Sequence, residues 1–372
     1  MKLVRVTLAV LMLASTVFAS QAEREAETRR FEEIKAKHDR GKQITPEERQ
    51  FAQSVMTRRN QGNAATRFSD YAKKHPPADS VGLVPLTDLG KGTHRGEGGG
   101  LYPDGKNVPP QGHLQAGLAI ARQIVPLDRD GRRDDSGKIV LLSIGMSNTT
   151  QEFQAFQGLA AAEEALNPRL LIVDGAQGGK AAVVTARPEA DFWKVVDKRL
   201  NAVGVTPKQV QVVWLKQANP GPSRAFPSEA RKLDADIVAT LHNLSARFAN
   251  LKIAYLSSRI YAGYAVTPLN PEPHAYESAF AVKWLISRQI AGQPELNFDP
   301  AKGTVRSAWL AWGPYLWADG LKGRKDGLKY TRSDLGSDGT HPSTSGREKV
   351  AEQLLSFLKS DPTSRPWFLA NP

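Results

Sequence analysis

Five short apolar runs, most of them set apart by longer stretches of mixed polarity, constrain this chain more than any other feature. They are IVLLSI at 139–144, RLLIVDG at 169–175, VQVVWLK at 210–216, LKIAYLSS at 251–258 and AWLAWG at 308–313. Rich in Val, Ile and Leu and without strict alternation, they read as strands covered on both faces. Helix-like segments at 151–166, 190–204 and 228–249 separate the first four, and another at 347–360 closes the series. Strand alternating with helix predicts an α/β protein: a three-layer α/β/α, flavodoxin-like arrangement around a mostly parallel sheet of about five strands. Such open sheets hold ligands at the carboxyl ends of their strands.

The flanks divide the rest. Lys2 and Arg5 precede an apolar stretch at 6–17, with small residues at Val17-Phe18-Ala19 and Ser20-Gln21-Ala22. That pattern predicts a signal peptide over 1–22, hence a secreted or periplasmic protein with no membrane span after cleavage. A retained anchor is the rival reading, and the run falls short of the ~20 residues a span needs. Residues 23–78 read as a charged helical spacer, with Thr45-Pro46-Glu47-Glu48 as a helix start: N-cap, proline in the first turn, then acids. Residues 79–137 form a Gly/Pro-rich loop region and a short helix near 112–125, expected to pack on the core domain at 138–360. Residues 361–372 are left as a tail.

Composition removes several chemistries. There is no cysteine, so no disulfide, thiol nucleophile or zinc–thiolate site. The net charge of +12 fits contact with acidic surfaces, but no recognition helix or basic-aromatic pattern points to nucleic acid. DRDGRRDDSGK at 128–138 imitates a calcium loop but has Arg132 and Ile139 at ligand positions, and reads as a polar turn. GAQGGKA fails as a phosphate loop, because Asp174 stands where the first glycine is required and Ala181 where a magnesium-binding hydroxyl is. No close histidine pair or HExxH predicts a metal, and no cofactor is expected.

The first strand ends in GMSN, placing Ser147 just past its carboxyl end. Serine is a poor nucleophile without a base, and the base needs an orienting partner. Of seven histidines, only His341 has an aspartate close by in a suitable turn: SDGTHPSTSG sets Asp338 three residues before it, with Gly339 between. Other readings stand beside this one. Ser147 could serve only as a helix N-cap, Gly178-Gly179 as a turn, and Asn219-Pro220-Gly221 as the start of a loop. Tyr261, Tyr264, Tyr276, Trp309, Trp312, Tyr315 and Trp317 could stack on sugar rings or fill the core.

DGTHPS followed by an amphipathic helix resembles the last sequence block of the SGNH (GDSL-like) hydrolase superfamily, and GMSN resembles its first. Gly179 in VDGAQGGKA, with Gly178 as the alternative, matches the second-block glycine. VVWLKQAN at 212–219 resembles the third block, carrying the family's asparagine onto Asn219. The nearest motifs are those of sialate O-acetylesterase-like carbohydrate esterases. The chain departs from the family at Met146, Gln217 and Pro220. The resemblance implies a catalytic Ser147, Asp338 and His341, with an oxyanion hole from Ser147, Gly179 and Asn219. Asn148, Gln217 and Arg259 are candidate substrate-binding residues. The implied partner is an O-acylated carbohydrate or other small ester, acetylated in the simplest case. A catalytically silent carbohydrate-binding protein on a degenerate SGNH fold is the alternative, and an acyltransferase using the same triad a third.

Overall fold

The computed structural model describes residues 21–39 and 44–370. All but the last two residues of the expected signal peptide lie outside the described residues. The chain divides into two compact units, residues 1–70 and 71–372.

In the first unit lie α1 (Gln21–Asp39) and the start of α2 (Pro46–Lys74). The expected helix start is realised as a reciprocal cap. The Glu48 N–H donates to Thr45 Oγ1 at 3.2 Å, and the Thr45 N–H donates to Glu48 Oε2 at 2.8 Å. Phe31, Ile34 and Val55 are buried in this otherwise polar sequence.

The second unit opens with chain that has little regular structure yet is well anchored. The Asp319 carboxylate accepts from Ser80 Oγ and the Val81 N–H at 2.6 and 2.8 Å, and Trp312 Nε1 donates to the Leu101 carbonyl at 2.7 Å. Helix α3 (Gln111–Ala121) follows, starting one residue earlier and ending four residues earlier than the sequence suggests. Next come β1 (Ile139–Gly145), α4 (Ser147–Ala161), β2 (Leu170–Asp174), α5 (Asp191–Ala202) and β3 (Val210–Lys216). The series ends with α6 (Ser228–Arg247), β4 (Ile253–Ser257), α7 (His274–Ile290), β5 (Trp309–Trp312) and α8 (Thr344–Ser360).

The five strands form one parallel sheet in the order β2-β1-β3-β4-β5, the expected three-layer α/β/α fold. All seven residues of β1 and all seven of β3 are buried, which is why their sequences run apolar without alternation. Helix α4 packs on α8, and α6 on α7. The polar turn at 128–138 is held by Asp128 Oδ1, which accepts from the N–H groups of Asp130 and Arg132, both at 2.9 Å. After α8 the chain does not trail away: Trp367 and Phe368 are fully buried, and Phe368 stacks on Phe156.

Candidate active site

The central strands β1, β3 and β4 deliver their carboxyl ends to one edge, where a cavity of about 250 Å³ opens. Its lining is largely apolar, from Met146, Ala181, Ala218, Pro220 and Leu269. Ser147, His341, Gly179, Asn219, Asn148 and Arg259 supply the polar groups.

Ser147 is the first residue of α4, and the extended Met146 occupies the N-cap position without a side-chain cap bond. The serine therefore does not cap its own helix. The turn that presents it is tight: a Cβ on Gly145 would lie 2.3 Å from Thr149 Oγ1 and 2.4 Å from the Lys216 carbonyl oxygen. Only glycine lets β1 end this close to β3 while Thr149 Oγ1 donates to that same carbonyl at 2.7 Å. Ser147 Oγ lies 2.7 Å from His341 Nε2, and His341 Nδ1 lies 2.5 Å from Asp338 Oδ2.

The Asp338 loop is built around a second glycine. Gly339 sits at φ +65°, and a Cβ there would fall 1.8 Å from the Tyr264 carbonyl oxygen. The turn brings the N–H groups of Thr340 and His341 onto Asp338 Oδ1, each at 3.0 Å. Burial works to raise the Asp338 carboxyl. The bonds from the imidazole and these two N–H groups outweigh it and hold the carboxyl down at about 2. Asp338 is thus an anion at neutral pH, so His341 Nδ1 carries a proton and Nε2 is left to accept from Ser147.

Behind this chain, two buried donors meet on one acceptor. Asn148 Nδ2 and Arg259 Nη2 donate to the Thr340 carbonyl at 3.0 and 3.1 Å, tying α4 and the end of β4 to the histidine loop. Under α4, Lys216 Nζ donates to Glu152 Oε1 at 2.6 Å, with both side chains fully buried. Burial and the nearby Arg259 push the Lys216 amine down to about 8, against the pull of Glu152.

The other sequence-derived residues separate. Gly179 lines the cavity in a left-handed conformation (φ +72°), and its N–H has no hydrogen-bond partner among the described residues. Asn219 also lines it, fixed at both ends of its amide: Oδ1 accepts from the Val183 N–H at 3.0 Å, and Nδ2 donates to Asp236 Oδ2 at 2.6 Å. Gln217 does not line the cavity. Its Nε2 donates to the Lys180 carbonyl at 3.1 Å and to Thr185 Oγ1 at 3.3 Å, bracing the segment that carries Ala181. The seven aromatic residues considered for sugar stacking are all buried and none lines the cavity, so they belong to the core.

Sequence reasoning missed the Lys216–Glu152 pair, the role of the Thr340 carbonyl and the presence of Asn270 and Leu269 at the cavity. A lysine ending a buried strand and a glutamate in an apolar helix face were the available signals. Nothing in the sequence matched them to each other.

No family model matches the chain, and no curated protein does. Solved structures give distant likenesses. A protein from Bacillus subtilis has 11% identity over 61% of this chain and 58% of its own, with a TM-score of 0.32. The periplasmic domain of a Salmonella ser. Paratyphi A lipopolysaccharide acetyltransferase has 11% identity over 66% and 95%, with a TM-score of 0.33. The salicylyl-acyltransferase SsfX3, from a tetracycline biosynthetic pathway, has 17% identity over 62% and 58%, with a TM-score of 0.31. The chain thus spans 58% of the Bacillus protein's length. Two of the three are described as acyl-transferring enzymes, but at these scores none carries an argument about chemistry here. Among the described residues, no helix is long and apolar enough to cross a membrane.

Proposed function

We propose that this chain is a secreted or periplasmic serine esterase of SGNH type, hydrolysing acyl esters, acetyl in the simplest case, on a carbohydrate or other small alcohol. The observation that carries the reading is the unbroken hydrogen-bonded path Ser147 Oγ–His341 Nε2, His341 Nδ1–Asp338 Oδ2 at the mouth of a cavity. Secretion rests on the N-terminal sequence alone.

In this mechanism Ser147 Oγ attacks the ester carbonyl carbon while His341 Nε2 takes its proton. The carbonyl oxygen becomes an oxyanion facing the N–H groups of Ser147 and Gly179. The first lies in a helical turn whose N–H groups have no intrahelical partner. Asn219 Nδ2 carries a second hydrogen beyond the one given to Asp236, and would serve as a third donor. Collapse of the tetrahedral species breaks the bond to the alcohol oxygen, which receives the proton from His341. Water, deprotonated by the same imidazole, then attacks the acyl carbon; the bond to Ser147 Oγ breaks, the oxygen takes the proton back from His341, and the acid is released. Asp338 orients the ring and stabilises its charged form throughout.

Purified protein should release acetate from acetyl esters, and Ser147→Ala should remove that activity with the fold intact. Glycan binding that survives Ser147→Ala, with no turnover by the wild type, would replace the esterase reading with that of a silent binding protein. Product formed only when an acceptor alcohol is supplied would mark an acyltransferase.

A further inference from the structure

Arg259 is the anomaly of the cavity. It follows β4, is 1% exposed, and lines the same space as Ser147 and His341. Its side chain makes one hydrogen bond, Nη2 to the Thr340 carbonyl, and Nε has no partner. Among the described residues no carboxylate oxygen lies within 4.0 Å of the guanidinium. A buried charge left without an ion pair is strongly disfavoured.

The acids nearest in effect are committed elsewhere. Glu152 is held by Lys216 at 2.6 Å, and Asp338 by His341 at 2.5 Å. Glu272 accepts from Trp317 Nε1 and the N–H groups of Ala262 and Tyr276 at 2.7 to 3.0 Å. Burial pushes the Glu272 carboxyl up to about 7, against the pull of these three donors and of Arg259. Lys216 lies near enough for the two cations to repel, and is itself paired with Glu152. Asn270 Oδ1, another buried atom without a partner at the same cavity, is an acceptor and calls for a hydroxyl of the substrate beside the charged group. A neutral acetyl ester would fill the space and leave the guanidinium as it stands.

We infer that Arg259 is a specificity residue that receives a carboxylate carried by the substrate beside the scissile ester. This rests on the esterase reading and narrows it to anionic esters. The carboxylate has two sources: the acyl group, as in a dicarboxylic half-ester, or the alcohol, as in an acetylated uronic acid. The chemistry at Arg259 is the same for both.

The test compares charged and neutral partners of equal size. One arm uses a succinyl half-ester of p-nitrophenol against its methyl ester. The other uses an acetylated galacturonic acid against its methyl ester. The wild type should prefer the acid in one arm by about 10- to 100-fold in kcat/KM, the range for a hydrogen bond to a charged group. The arm showing it identifies the source. Arg259→Gln should bring that ratio to within about threefold of one, and Arg259→Lys should restore part of it. The ratio is the readout because losing the bond to Thr340 lowers turnover of both partners together.

A wild-type ratio near or below one in both arms overturns the proposal, whether or not the variants fold. So does an Arg259→Gln protein that keeps the preference. If the wild type hydrolyses no ester at all, the esterase reading has failed. The arginine is then tested by calorimetry on the wild type and Arg259→Gln with galacturonate and its methyl ester. Binding of the acid alone, and its loss in the variant, supports the carboxylate site; equal binding of both ligands refutes it.

Discussion

Replacing Asp338 with asparagine separates orientation of the histidine from everything else the loop does. The new side chain is nearly isosteric, and its carbonyl oxygen can still accept the N–H groups of Thr340 and His341 that Asp338 Oδ1 accepts at 3.0 Å. The amide nitrogen then faces His341 Nδ1 in place of the oxygen now 2.5 Å away. Two N–H groups cannot face each other there, so the imidazole proton moves to Nε2, the atom 2.7 Å from Ser147 Oγ. In that tautomer the histidine cannot take the serine proton, and kcat for an acetyl ester should fall on the order of 10⁴-fold. That is about 5.5 kcal/mol of barrier.

Stability should change much less. The depression of the Asp338 carboxyl from 3.8 to about 2 corresponds to roughly 2 kcal/mol, and to about 1 kcal/mol once screening of a side chain 31% exposed is allowed for. Because the folded-state value is the lower one, this stabilisation is fully present above the ordinary carboxylate range and is lost as pH falls through about 2. The asparagine variant lacks it throughout, so its Tm near neutral pH should drop by only a few degrees. Steady-state kinetics with p-nitrophenyl acetate, beside a thermal melt, makes the comparison. A folded variant that keeps more than about a tenth of wild-type kcat would refute the orienting role.

Two further substitutions probe the frame of the site. Gly145→Ala puts a methyl group 2.3 Å from Thr149 Oγ1 and 2.4 Å from the Lys216 carbonyl oxygen; denaturant unfolding should show a loss of about 1–3 kcal/mol, with turnover reduced as the serine turn shifts. Lys216→Met leaves Glu152 charged and unpaired in the core, and should cost about 3–5 kcal/mol, whereas Lys216→Met with Glu152→Leu should recover most of it. A double variant no more stable than the single one would show that the pair is not coupled as described.

The sheet was legible because a parallel strand covered on both faces runs mostly apolar, and β1 and β3 do, with Ser143, Gln211 and Lys216 as their buried polar exceptions. Strand limits read from sequence differ from the observed ones by two residues at most. The start of α4 was less clear. Ser147, Asn148, Thr149 and Thr150 are weak helix formers, so the sequence suggests a start at 151, yet the helix begins at Ser147. Tertiary bonds override propensity there: Asn148 reaches the Thr340 carbonyl and Thr149 the Lys216 carbonyl.

Local spacing placed Asp338 and His341 in one turn, but it could not bring Ser147 to them across 194 positions; that required the sheet. The aromatic residues after 255 were ambiguous for a related reason. Tyr261, Tyr264, Tyr315 and Trp317 lie outside helix and strand, where there is no period to separate an inward face from an outward one. The loops that carry several of them turn out to be packed, with Tyr261 and Trp317 fully buried. Gln217 was misleading because it lies two residues from Asn219, yet its amide braces the chain at Lys180 and Thr185 and does not line the cavity.

The central claim is that Ser147 is a nucleophile activated by His341, and covalent trapping measures this without assuming a substrate. A fluorophosphonate probe added to the folded protein should give one adduct by intact mass, mapped by peptide sequencing to Ser147. The adduct should be absent from Ser147→Ala and slowed by orders of magnitude in His341→Ala. A folded wild-type protein that stays unlabelled, or one labelled equally well without the imidazole, would contradict the account.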